Sequence, residues 1–177
     1  MGTVTIGFCP INQFKLRPVV ASELITMQYT EGKPGRVFIV RVDHGEDLIL
    51  TLVQFLTDHQ VNSGYIRFMG ALQSGQIVTG PKDLCLPPDQ HFESFTGGWE
   101  VIGMATITPD TNGPHLHIHA SIGRGERVLT GCLRGVITTY IVIEAVITEL
   151  TGVDMQREPD PVTGLCLPVL RHEKPQR

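Results

Sequence analysis

Between Gly113 and Gly123 the chain reads Pro114-His115-Leu116-His117-Ile118-His119-Ala120-Ser121-Ile122, with three of its seven histidines at alternate positions. This alternation has the period of a β-strand, not of a helix. In a strand the three imidazoles project from one face, while Leu116, Ile118, Ala120 and Ile122 project from the other, toward a core. A row of imidazoles builds a poor interior and a good transition-metal site. The stretch therefore predicts a two-faced strand and makes His115, His117 and His119 candidate metal ligands. The plainer alternative is solvent-facing histidines on a half-exposed sheet.

Geometry limits the claim. Same-face neighbours on a strand lie roughly 6.5–7 Å apart, and first and third members roughly 13 Å. Metal–nitrogen bonds are about 2.0–2.1 Å for zinc. Two adjacent histidines can meet on one ion, whereas three require a sharp bend. At least one further ligand is expected from elsewhere in the chain.

Other segments place this strand in a sheet. Residues 19–29 have strand character and residues 35–42 alternate cleanly, with Gly32, Pro34 and Gly35 between them predicting a hairpin turn. The polar break Asp43-His44-Gly45-Glu46-Asp47 suits the positive end of a helix dipole. Leu48, Leu52, Phe55 and Leu56 follow at helical spacing, predicting an amphipathic helix over residues 46–59. Strand patterns return at 65–72, 75–79, 92–95, 99–107 and 115–122. The proline-bearing stretch 80–90 predicts a loop, and Thr96-Gly97-Gly98 and residues 109–113 predict turns. The β-branched run at 138–150 predicts a central strand. One helix among about eight strands gives the class α+β with a mostly antiparallel sheet.

The ends differ from the middle. Residues 1–18 read as an irregular arm, residues 19–150 as the main domain and residues 151–177 as a proline-rich tail. Pro159, Pro161, Pro168 and Pro175 argue against regular strand or helix over most of that tail. Its apolar patch, Leu165-Cys166-Leu167-Pro168-Val169-Leu170, is expected to pack on the body or on a neighbouring subunit.

Composition narrows the classes further. A net charge of −4 in 177 residues argues against a surface that grips nucleic acid throughout. Arg124, Arg127 and Arg134 are scattered and read as solvated or structural rather than as a phosphate track. Cys9, Cys85, Cys132 and Cys166 form no Cys-x-x-Cys pair, which excludes an obvious zinc ribbon. No signal-peptide pattern or apolar run of membrane-spanning length is present, so the expected location is cytoplasmic with no membrane partner. Serines 22, 63, 74, 94 and 121 lack a nucleophile-elbow context. His44 reads as a solvated turn residue and His59 as a helix-end group, while His91 and His172 fall in predicted loops. Glu144, inside an apolar strand, reads as an ion-pair partner of Arg134 or Arg67, with orientation of a ligating histidine as the alternative.

Several short motifs fall in a characteristic order. These are Gly45-Glu46-Asp47 at the helix start, Met69-Gly70-Ala71-Leu72, Trp99-Glu100-Val101-Ile102-Gly103-Met104, Pro114 to Ala120, Gly131-Cys132-Leu133 and Glu144-Ala145-Val146-Ile147-Thr148-Glu149. Together they resemble the PPC domain, the plants-and-prokaryotes-conserved domain, over roughly residues 36–150. The resemblance implies an α+β domain, a mostly antiparallel sheet packed by one main helix plus short helices, assembled as a homotrimer. In plants the domain is joined to AT-hook motifs; in bacteria and archaea it usually stands alone. This chain has no Arg-Gly-Arg-Pro core, so possible DNA binding rests on family analogy.

The family's histidine motif maps onto His117 and His119, with an apolar residue usual where His115 stands. A third family histidine, in a Gly-Gly-His-Leu segment, corresponds to Cys132 in Thr130-Gly131-Cys132-Leu133. Thiolate is also a good zinc ligand, and the resemblance puts Cys132 on an antiparallel neighbour of the histidine strand. A ligand and a small buried core residue are both open readings for Cys132. His115 either adds a fourth ligand or flanks the site. The resulting expectation is a protein that binds zinc or another divalent transition metal, with a regulatory or ligand-binding role. The alternatives are a DNA-binding transcription regulator and a metal-dependent hydrolase or lyase acting on a small-molecule ligand.

Overall fold

A computed structural model describes residues 27–171. The expected arm at 1–18, most of the expected strand at 19–29, Cys9 and His172 lie outside the described residues. Seven strands and one helix follow in the order β1 (Lys33–Asp43), α1 (Leu48–Asp58), β2 (Gly64–Pro81), β3 (Gln90–Asp110), β4 (Gly113–Arg124), β5 (Arg127–Thr151), β6 (Asp154–Pro159) and β7 (Cys166–Arg171). Five strands form an antiparallel sheet in the order β1-β5-β2-β3-β4, and β4 also pairs with β5. The circuit β5–β2–β3–β4–β5 therefore closes, with β1 added on the outer side of β5.

Closure corrects the expected class. Strands take up 69% of the described residues and helix 8%, with one short helix and no accompanying short helices. The fold is an antiparallel β-structure rather than a helix-packed α+β domain. A flat sheet needs helices to cover its apolar face; a sheet that wraps onto itself covers most of that face with its own side chains. The core shows this directly. Ile66 and Phe68, Ala105 and Ile107, Ile118 and Ile122, and Ile143 and Ile147 all point inward and are buried. Leu48, Leu52 and Leu56, on one stripe of α1, join the same cluster.

Helix α1 begins where the acidic break predicted. Asp47 is its N-cap, and the carboxylate accepts from the Ile49 and Leu50 backbone N–H groups at 2.9 and 3.3 Å. At the far end His59 caps the helix, its Nδ1 lying 2.9 Å from the Phe55 carbonyl oxygen.

Several local expectations change. Residues 27–29 are not strand, and Lys33, Pro34 and Gly35 open β1 instead of turning a hairpin. β1 pairs with β5, placing Val42 opposite Ile143, a partner far away in sequence. Thr96-Gly97-Gly98 lies inside β3, where the register with β2 shifts between Leu72 and Ser74. The glycines accommodate an irregularity, not a chain reversal. His91 belongs to β3 rather than to a loop, with Nδ1 3.3 Å from Thr79 Oγ1. The proline-rich tail is also more regular than expected, because β6 and β7 pair as a hairpin containing Pro159 and Pro168. A two-stranded sheet consists only of edges, where a missing backbone N–H is tolerated. β6 lies against β3. No helix among the described residues is long and apolar enough to cross a membrane.

Candidate metal centre

The histidine row sits in β4 as its alternation requires. Ile118, Ala120 and Ile122 are buried inward, while His115, His117 and His119 occupy the opposite face. The His117 and His119 rings are 4.9 Å apart between centroids and nearly perpendicular, at 89°. On one side β4 pairs with β3, placing His117 opposite Thr106 and His119 opposite Met104. On the other it pairs with β5, and the last pair of that ladder is His119 with Cys132. Opposed residues in an antiparallel ladder share a face, so the thiol joins the imidazoles.

One donor atom each from His117, His119 and Cys132 lies within 4.8 Å of the others. A tetrahedral zinc ion with nitrogen and sulfur bonds of ordinary length needs its donors about 3.4–3.7 Å apart. The chemistry of this set suits a zinc-type ion, for which it would supply three ligands and leave one coordination position for water or a ligand. His115 stands apart from the cluster. Its Nδ1 is 4.0 Å from Asp110 Oδ2, near the β3–β4 turn.

A glycine explains how the cysteine reaches the site. A Cβ on Gly131 would lie 1.9 Å from the Val78 carbonyl oxygen, so only glycine lets β5 and β2 approach this closely. Cys132 follows immediately and is 5% exposed. Burial pushes its thiol pKa up, while Arg134, the Ile118 backbone N–H and Arg157 pull the other way. Burial holds His117 below the ordinary histidine value, reinforced by His119, Arg157 and Arg134. Burial and Arg157 lower His115 too, against the opposing pull of Asp110. A lowered imidazole pKa favours the neutral form that ligates metals.

Beyond the His119–Cys132 pair, β5 runs on beside β2, with Leu133 opposite Ile77 and Arg134 opposite Gln76. A pocket of about 380 Å³ opens there, lined by His117, His119, Cys132 and Arg134 among others. Arg134 was expected to be a scattered solvated or structural arginine, but it lines this pocket. Its signal in the sequence is parity with Cys132, which only a known strand makes meaningful. Arg157 belongs to the tail hairpin and gave no such signal. Glu144 is exposed on the outer sheet face, and no ion pair joins it to Arg67 or Arg134 among the described residues.

The class of protein is a closed antiparallel β-domain that gathers two histidines and a cysteine at one point of its sheet. The family model of the Plants and Prokaryotes Conserved (PCC) domain matches residues 29–151, and the chain belongs to this family. Among solved structures, it is similar to a metal-containing protein from Archaeoglobus fulgidus, at 25% identity and a TM-score of 0.72, covering 82% of this chain and 100% of that one. A plant- and prokaryote-conserved protein from Pyrococcus horikoshii aligns at 24% identity and a TM-score of 0.68, covering 84% of this chain and 99% of that one. A candidate DNA-binding protein from Bacteroides thetaiotaomicron aligns at 22% identity and 0.65, covering 81% and 98%. The last two likenesses speak to the fold alone. No curated protein matches the chain.

Proposed function

We propose that this protein is a metal-binding member of the family, in which His117, His119 and Cys132 hold zinc or another divalent transition metal and the site serves a regulatory or ligand-binding role. The observation that carries this reading is the approach of three donor atoms to within 4.8 Å of one another. The description of the Archaeoglobus relative as metal-containing supports it. A bound ion would contribute Lewis acidity and an open coordination position. The chain's own part is to present two neutral imidazoles on one strand and a thiol on the next, fixed by the register. His115 is the flanking residue in this reading.

Metal analysis of protein purified without a histidine tag tests the proposal. About one equivalent of zinc per chain is expected after reconstitution, and His117→Ala and Cys132→Ala should lose it while His44→Ala keeps it. In the cobalt-loaded protein a thiolate-to-metal charge-transfer band should be present and should vanish in Cys132→Ala. Less than about a tenth of an equivalent of any transition metal overturns the reading.

DNA binding is the second reading, and its support is the description of the Bacteroides relative. The net charge of −4 weighs against it. No shift of an AT-rich duplex at low salt would end it. A metal-dependent hydrolase or lyase rests on the open coordination position alone.

A further inference from the structure

Two arginines in this part of the fold lack a carboxylate partner, and one of them, Arg134, lines the pocket at the metal centre. Arg134 lies two residues beyond Cys132, on the same face of β5, and lines the 380 Å³ pocket with both histidines and the thiol. Arg157 comes from β6, the strand that packs against β3. Its Nε is shielded from solvent and has no hydrogen-bond partner. Neither guanidinium forms an ion pair among the described residues. Two acids of the neighbouring elements are engaged elsewhere, Glu158 with Arg171 and Asp110 beside His115.

This arrangement is costly if nothing else binds. A shielded N–H without an acceptor forfeits a hydrogen bond. A divalent ion, one thiolate and the Arg134 guanidinium leave the pocket positive, with Arg157 adding to the field, and like charges repel. An anion removes both costs at once. The guanidinium fork matches carboxylate and phosphate oxygens, and the metal's open position accepts one of the same oxygens. The pocket is at the lower end of the size range for small-molecule sites.

We propose that the pocket takes a small anion bearing a carboxylate or phosphate group, one oxygen on the metal and the others gripped by Arg134 and Arg157. The inference rests on the metal reading above and names the ligand class of that same site.

Cobalt-loaded full-length protein provides the test, because its visible bands change when an anion enters the metal's coordination. Metal content is measured first, and inorganic phosphate and succinate are then titrated separately to tell the two chemistries apart. At least one should produce a saturable spectral change in the wild type. Arg134→Gln should weaken that anion about tenfold or more with metal content unchanged, and Arg134→Lys should recover part of the loss. Arg127→Gln, outside the pocket, should match the wild type. If Arg134→Gln fails to hold metal, Arg157→Gln carries the same expectation. Equal affinity in wild type and variant, or no response to either anion by metal-loaded protein, overturns the inference and leaves the metal site standing. Failure of the wild type to take up metal overturns the metal reading first, and the anion site with it.

Discussion

At the scale of the residue, two positions couple distant parts of the chain. Arg36 reaches from β1 to Glu149 on β5, with Nε 2.8 Å from Oε2 and Nη2 2.6 Å from Oε1. The same Nη2 also donates to the His59 carbonyl oxygen at the end of α1. The Arg36 side chain and its backbone N–H together lower the Glu149 pKa from 4.5 to about 2. Because the folded-state value is depressed, the stabilisation is fully present above pH 4.5 and fades as pH falls toward 2. Acid titrations of wild type and Glu149→Gln should therefore converge in stability across that window, and parallel curves would show that the pair contributes nothing. Gly131 is the second position. Gly131→Ala should push β5 from β2 and draw Cys132 away from the histidines, so metal affinity should fall by at least about tenfold. Unchanged metal affinity would mean that the strands shift without moving the thiol.

Helix α1 shows at the scale of the element how little helix this fold requires. Its 11 residues bury Leu48, Leu52 and Leu56, and Asp47 satisfies the first turn. The preceding loop is tied to the central strand: the Gly45 N–H donates to the Thr139 carbonyl oxygen at 3.0 Å, and the Thr139 N–H donates to the Glu46 carbonyl oxygen at 2.9 Å. Asp47→Ala should cost about 1 kcal/mol of unfolding free energy, measurable by denaturant titration, with the metal site intact. A loss of metal along with stability would show that the helix start and β5 move together. Met69-Gly70-Ala71-Leu72, read from the sequence as a motif, has a physical basis here. A Cβ on Gly70, at φ +142°, would lie 2.1 Å from the Val142 carbonyl oxygen, next to the bulge in β5.

Over the whole molecule, the outer face of the sheet is unusually apolar. Ile39 on β1, Val146 on β5, Met69 on β2, and Ile102 and Met104 on β3 are all exposed, Ile39 at 78% and Ile102 at 64%. They line one concavity of about 690 Å³ that His119 also borders. An apolar surface of this kind marks an interaction site, and the homotrimer implied by the resemblance supplies equivalent neighbours to cover it. Light scattering at micromolar concentration should give a trimer mass, and Ile102→Lys with Met104→Glu should shift it to monomer. A monomeric wild type would refute the assembly. Removing residues 153–177 should weaken the trimer if the tail contributes to subunit contacts, and an unaffected mass would confine the error to the tail.

The single helix with its acidic start and the inward half of the histidine strand were legible in local sequence, because side-chain parity and helical spacing depend only on near neighbours. The histidine row was legible for the same reason. Sequence spacing also indicated that all three histidines could meet only on a sharply bent strand, and His117 and His119 come together with Cys132 without His115. What local patterns could not supply was pairing between distant segments. The β1–β5 ladder, the return of β4 onto β5, and the His119–Cys132 register all join residues by hydrogen bonds that leave no periodic trace. Closure, and with it the scarcity of helix, follows from those pairings. So does the placing of Arg134 in one pocket with His117, His119 and Cys132, since only the folded chain brings these strands together.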